Sequence, residues 1–437
     1  MALATPVRGA LRRSDPGLWL AAGAVGLSLL ALATLLVVLL RQTAHAFVPA
    51  PVAELRWRSG DTEQVLLAAV LRQDARELIV RGSEWTRRGA DYHRIRRSDL
   101  IALAWPADAL SVRLRDGREL YLRGGAPAAQ ADVGALLSAQ AAGGSFAAPD
   151  DVVDVFAANQ LSTTDATGIA LRRAWRFVVG EPQAGGGVFP ALVGTVVLVL
   201  LMSVLVMPLG VLLALWLHEY AGSRRGARLL RAAIANLAGV PAVIYGLLGL
   251  VLFVNGIGGG LDAVLANPTP HWGGGGLLWS ALTLALLTLP VVVIATEEGL
   301  GRVPDSLRQG ALALGATRAE TLWRVVLPVA RPALLTALIL AVARASGEVA
   351  PLMLVGAVRY APALPLDAEF PYLHLSRQFM HLGQSVYDLA LAGSDAQRDT
   401  AQAHAAALLL LVVVVGLNAA AIAVRNRLRE RARELAV

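Results

Sequence analysis

Six long apolar runs dominate this chain, and each is long enough to cross a lipid bilayer. A membrane helix needs about 20 residues at roughly 1.5 Å rise each. The first run, Gly17 to Leu40, carries no charge and lies between Arg12, Arg13 and Asp15 on one side and Arg41 on the other. It is longer than the apolar stretch of a secretory signal, so it reads as a span although Ala44-His45-Ala46 is cleavage-site-like. Five more runs follow, at about Val188–Leu217, Ala232–Val254, Leu277–Ala295, Ala333–Val355 and Ala405–Val424. Pro208, Pro241, Pro290 and Pro351 interrupt them, which a membrane helix tolerates where neighbours satisfy the freed backbone groups. The expected fold class is an all-α polytopic membrane protein with six transmembrane helices.

Charge sets the direction of threading. The chain has 39 basic residues, every one of them Arg, against 32 acidic ones. Arg8, Arg12 and Arg13 precede the first span, and Arg224, Arg225, Arg228 and Arg231 follow the second. Arg302, Arg308, Arg318, Arg324 and Arg331 follow the fourth, and Arg425, Arg427, Arg429, Arg431 and Arg433 fill the tail. The connection Asn255–Gly276 has no Arg. Basic loops stay on the cytoplasmic side, so both termini are expected there and the long polar stretch outside. The net charge of +7 is then a topology signal and not a nucleic-acid footprint. Three regions result: 1–41, cytoplasmic N-terminus and first helix; 42–187, a periplasmic accessory domain; and 188–437, a core of five spans with a cytoplasmic docking loop at 297–328.

Absences narrow the chemistry. Without Cys there is no disulfide framework, zinc–thiolate site or thiol nucleophile. Without Lys there is no Walker A lysine and no Schiff-base anchor. No nucleophile–base pair stands out either, so a membrane enzyme is disfavoured. If ATP drives this chain, another subunit must bind it.

The outer stretch looks folded. Leu110 to Leu122 alternates apolar and polar residues around Asp116-Gly117, a hairpin signal. Leu55–Arg58 and Glu77–Arg81 are weaker strand candidates, Ala139–Pro149 reads as a linker, and Asp150–Leu161 and Ile169–Val179 read as helices. A small α+β extracytoplasmic insert is expected.

The loop between spans four and five is the most informative. Pro304 opens a helix with Asp305 or Ser306 available as its cap, and Leu307, Ala311 and Leu314 share one face. Gly315 ends the turn, and a second short helix from near Thr317 carries Leu322, Trp323, Val325, Val326 and Leu327 up to Pro328. A DNA-binding helix-turn-helix has a similar spacing, but these helices lie too close to the bilayer to reach a duplex. A docking element for a cytoplasmic partner's groove fits better.

Within span five, Arg344 and Glu348 stand four residues apart and would share a helical face. An ionisable group at that depth costs at least about 2.5 kcal/mol, so it must meet a partner or a cavity. Two readings stay open: an internal ion pair that holds the bundle, or a translocation path. In the path reading Arg344 offers a planar fork of donors to an anion and Glu348 keeps the site from trapping it. Arg231 reads as a topology anchor, and Glu219, Glu297 and Glu298 as solvated ends of spans. His374 and His381, seven apart, make a poor metal site. Trp216, Trp272 and Trp279 fit an interfacial belt.

Gln309-Gly310-Ala311, Gly315, Val325 and Leu327-Pro328 are similar in spacing to the EAA loop of ABC importer permeases, with Gln309-Gly310 in place of the usual Glu-Ala. Pro208 to Tyr220, Gly239 to Gly249, Ala343 to Leu352 and Leu373 to Gly383 resemble the phosphate permease subunits of PstA type. The resemblance covers about 188–437; the insert matches only in position and size. It implies the type I importer permease fold in the inner membrane, with alternating access and docking through those seven loop residues; Pro241, Gly347 and Pro351 are hinge candidates, Gly347 and Pro351 because they can unwind the helix around Arg344 and Glu348. Implied partners are a second permease subunit (PstC type), an ATPase dimer (PstB type) carrying ATP and Mg, a periplasmic phosphate-binding protein (PstS type) and membrane lipid. This chain itself would bind no cofactor or metal. The rival readings are a molybdate or sulfate permease and a membrane-anchored phosphate sensor.

Overall fold

The computed structural model describes residues 16–59, 62–83, 92–114, 118–124, 152–180, 187–222, 224–266, 269, 271–391 and 396–434. Among them, six helices are long and apolar enough to cross a membrane. They lie within α1 (Pro16–Phe47), α3 (Phe189–Ala221), α5 (Ala242–Val264), α6 (Leu277–Gly301), α8 (Arg318–Ser346) and α11 (Ala396–Glu434). Shorter helices are α2 (Thr163–Val179), α4 (Arg225–Leu237), α7 (Asp305–Ala313), α9 (Ala350–Val355) and α10 (Leu382–Leu391).

The insert is mainly strand. A five-stranded antiparallel sheet has the order β4-β3-β2-β1-β5, from β1 (Val52–Ser59), β2 (Thr62–Gln73), β3 (Glu77–Arg81), β4 (Tyr92–Arg96) and β5 (Leu100–Ala104). A second sheet of β6 (Ala109–Leu114), β7 (Glu119–Arg123) and β8 (Val152–Ala157) has the order β7-β6-β8. The expected hairpin is β6–β7, registered as Leu110 opposite Leu122 and Val112 opposite Leu120; its turn residues Asp116 and Gly117 lie outside the described residues, as does the linker Ala139–Pro149. The helix expected over Asp150–Leu161 is instead β8, paired with β6. Its Val-Val-Asp-Val-Phe run is β-branched and aromatic, which favours a pleated surface. Helix α2 starts where the Ser162 side chain accepts from the Asp165 N–H (3.2 Å). It is tied to the second sheet by Arg173, whose guanidinium lies over the Phe156 ring and 3.3 Å from Glu119.

Helix α6 is the centre of the membrane core. Leu277, Leu284 and Val292 on α6 pack with Leu198, Met202 and Val206 on α3 and with Ala337, Ala341 and Ala345 on α8. Small residues set the spacing, as is usual where lipid offers no hydrophobic drive between helices. A Cβ on Gly299 would lie 2.3 Å from that of Ala333, and one on Gly246 would lie 2.6 Å from the Pro351 Cα. Because the latter neighbour is backbone, Gly246→Ala is expected to push α5 off α9 at a cost of about 1–3 kcal/mol. A lowered thermal midpoint of the purified protein checks this. By contrast α1 packs along α11 and exposes its apolar surface around its circumference.

Two spans differ from expectation. The third begins at Ala242, with Pro241 as its N-cap, because residues 225–237 form the separate amphipathic helix α4. The fifth ends at Ser346, and the remaining residues to Val355 form α9 after a break at Gly347. Trp279 is no belt residue; it is buried, stacks on Phe253 and donates its indole N–H to the Trp272 carbonyl (2.7 Å).

Candidate functional site

The loop between α6 and α8 begins with α7, whose N-cap is Pro304 and makes no side-chain cap. Neither Asp305 nor Ser306 caps it; the Asp305 carboxylate instead accepts from Arg308 (3.0 Å). Helix α7 buries none of its residues. Leu307 and Leu312 are about half exposed and Leu314 is 91% exposed, while Gln309 and Gly310 are open to solvent and Ala311 is partly covered. Gly315 takes φ +88°, a left-handed turn that glycine adopts without strain. Thr317 and Glu320 then form a reciprocal capping box, with Glu320 N–H to Thr317 Oγ1 at 3.2 Å and Thr317 N–H to Glu320 Oε2 at 2.9 Å.

The second element is not a short helix ending at Pro328. It is the start of α8, which runs on from Arg318 to Ser346 without interruption. Pro328 follows a widened π turn at Leu322–Val326, and Val325, Leu327 and Pro328 are partly covered. The second helix of the loop and the fifth span are therefore one rod of 29 residues, about 40 Å long.

Ion pairs fasten α7 and α4 to the bundle. Arg308 donates to the carbonyls of Val303 (2.6 Å) and Leu300 (2.8 Å), and its guanidinium lies 3.1 Å from Glu219 at the end of α3. Arg231 on α4 pairs with Glu297 on α6 (2.7 Å) and donates to the Leu217 (2.7 Å) and Gly222 (3.1 Å) carbonyls. Glu219 and Glu297 are thus structural partners, not solvated ends. Sequence reasoning missed both pairs, since their members stand 89 and 66 residues apart and no local pattern links them.

At the other end of α8, Arg344 and Glu348 do not share a helical face. Gly347 caps α8, and Glu348 lies in the turn before α9, its N–H on the Ala345 carbonyl (3.2 Å). Among the described residues neither side chain has an ion-pair partner, and Arg344 Nε is buried without a hydrogen bond. The Tyr245 hydroxyl on α5 donates to the Leu237 carbonyl (2.7 Å). Pro351 lies in the first turn of α9, against Gly246. Break, cation and the hinge candidates Gly347 and Pro351 are thus contiguous, whereas Pro241 opens α5.

The loop before α10 holds the two His residues apart. His374 bonds Asp367 (2.8 Å), which also pairs with Arg377. Hydrogen bonds from Arg377 and then His374 draw the Asp367 carboxyl down to about 2. His381 is fully buried and accepts from the Gly383 N–H (3.1 Å); burial lowers it to about 4. Among the described residues, no group of three or more metal-ligating side chains forms.

Part of the chain is similar to known proteins. "Phosphate transport system permease protein PstA 1" of Mycobacterium tuberculosis (strain CDC 1551 / Oshkosh) is 37% identical over 185 residues, 42% of this chain and 55% of the relative. The PstA protein of Xylella fastidiosa (strain 9a5c) is 32% identical over 176 residues, 40% of this chain and 56% of the relative. The chain thus spans about half the length of these curated relatives. A bacterial ABC transporter involved in the import of the acidic polysaccharide alginate superposes with a TM-score of 0.42 at 18% identity, over 57% of this chain and 80% of that one. A family model matches residues 206–434, from the middle of α3 to the end of α11, and by that match this multi-pass membrane protein belongs to the binding-protein-dependent transport system inner membrane components.

Proposed function

We propose that the chain is the permease subunit of an ATP-driven importer of inorganic phosphate. The observation that carries the reading is Arg344: a partly buried guanidinium with no ion pair among the described residues, beside a break between two helices. An Arg left without a partner at membrane depth is costly unless a water-filled path or an anion meets it. Its fork of donors suits a tetrahedral oxyanion. The relatives named for phosphate transport support phosphate as that anion.

Closure of a partner ATPase dimer, which holds ATP and Mg, moves the exposed apolar face of α7. Because α7 meets α8 at Gly315 and α8 is one rod, that movement tips the end that carries Arg344. The bundle then opens alternately to either side. A second permease subunit completes the path, and a periplasmic binding protein delivers the anion. The chain itself carries no ATPase site; both termini lie in the cytoplasm and the insert outside. The test is uptake of labelled phosphate by the reconstituted complex. Competition by unlabelled phosphate, without competition by molybdate or sulfate, is expected; preferential competition by either rival overturns the substrate.

A further inference from the structure

Helix α4 has a face that neither the bundle nor the docking loop uses. It is joined to α3 by residues 222–224 and to α5 by 238–241, so each end is held within roughly 10–15 Å of a membrane-crossing helix. Ala227 and Ile234 are buried against the ends of α3, α6 and α8, and the Arg231 bonds lock that side in place. Next to that side and turned away from it, Leu229 (73% exposed), Ala233 and Leu237 (40% exposed) recur every fourth residue as an apolar stripe. Beside the stripe stand Arg224, Arg225 and Arg228, all exposed and without an ion pair among the described residues.

We infer that α4 lies in the plane of the bilayer surface, its stripe sunk among acyl chains and its three outer Arg residues binding the phosphates of anionic lipid headgroups. An apolar stripe flanked by cations is the pattern of an interfacial helix. The short tethers to two spans hold it at that depth, and a guanidinium pairs a phosphodiester through two parallel donors. Counting spans places α4 on the same side of the membrane as α7. The exposed apolar residues of α7 already offer an ATPase partner a surface, and α4 has the charge that suits lipid.

The chain contains no Cys, so a single introduced thiol can be labelled selectively. Nitroxides at Leu229→Cys and, on the opposite flank, Ala235→Cys are compared in the full chain in phosphatidylcholine nanodiscs with or without phosphatidylglycerol. The label at 229 is expected to collide with oxygen dissolved in the bilayer and the label at 235 with a water-soluble nickel chelate. Preference for spin-labelled phosphatidylglycerol over phosphatidylcholine is expected to fall up to about five-fold for each Arg neutralised in R224Q, R225Q and R228Q. Equal access of the chelate to both labels overturns the proposal, as does an unchanged lipid preference in the triple variant. Shielding of residue 229 only after an ATPase subunit is added also overturns it and makes the face a protein interface.

Discussion

Arg344→Ala is expected to abolish phosphate uptake while leaving the protein as stable as before, or more so. The two effects part because, among the described residues, the guanidinium has no bonding partner: its Nε is buried without a hydrogen bond and Glu348 has turned away at Gly347. Arg344 stands two residues before the end of α8 and is only partly buried, so removing it relieves less than the ~2.5 kcal/mol that a cation costs at mid-bilayer. During passage the same group would supply hydrogen bonds to a charged ligand worth about 1.5–3 kcal/mol each. Loss of two such bonds slows passage by a factor of about a hundred or more. Arg344→Lys keeps the charge but loses the planar fork, so intermediate uptake is expected. Thermal midpoint and initial uptake rate, measured on the same preparations, separate this from a structural ion pair. A structural pair predicts a lower midpoint, and wild-type uptake by Arg344→Ala at normal protein levels defeats the path assignment.

Much of the membrane architecture was legible because apolar length is a property of single segments. The six runs, the β6–β7 hairpin and the left-handed turn at Gly315 all follow from local rules. Failures came where a local rule met a competing one. Ala232 to Leu237 is apolar enough to extend the third span, but Pro241 fixes the start of α5 and leaves α4 outside. Four-residue spacing joins Arg344 to Glu348 only on an unbroken helix, and Gly347 breaks it. At Val152–Ala157 β-branched residues and pairing with β6 outweigh a helical reading. The anchors of the loop between α6 and α8 were illegible for a different reason: Glu219 and Arg308 meet only because α3 and α6 end side by side.

That anchor carries the second large effect. Arg308→Ala is expected to leave ATPase binding nearly intact, because Leu307, Leu312 and Leu314 still face outward, and to lower phosphate moved per ATP hydrolysed by at least about ten-fold. Arg308 is 14% exposed and Glu219 19%, so their pair is shielded enough to exceed an ordinary surface bridge. Breaking a well-buried pair costs about 3–5 kcal/mol; the partial shielding here places the cost below that range. The same guanidinium also holds the Leu300 and Val303 carbonyls at the end of α6. Its loss frees α7 from α3 and α6 together, so closure of the ATPase dimer swings α7 without moving the bundle. Glu219→Gln removes only the ionic contact and leaves both carbonyl bonds, so it should uncouple less than Arg308→Ala. Transport per ATP, measured for both variants in proteoliposomes, tests that order. Equal losses would put the coupling in the ion pair alone, and full coupling in both would show that α7 drives the bundle through the α8 rod without this clamp.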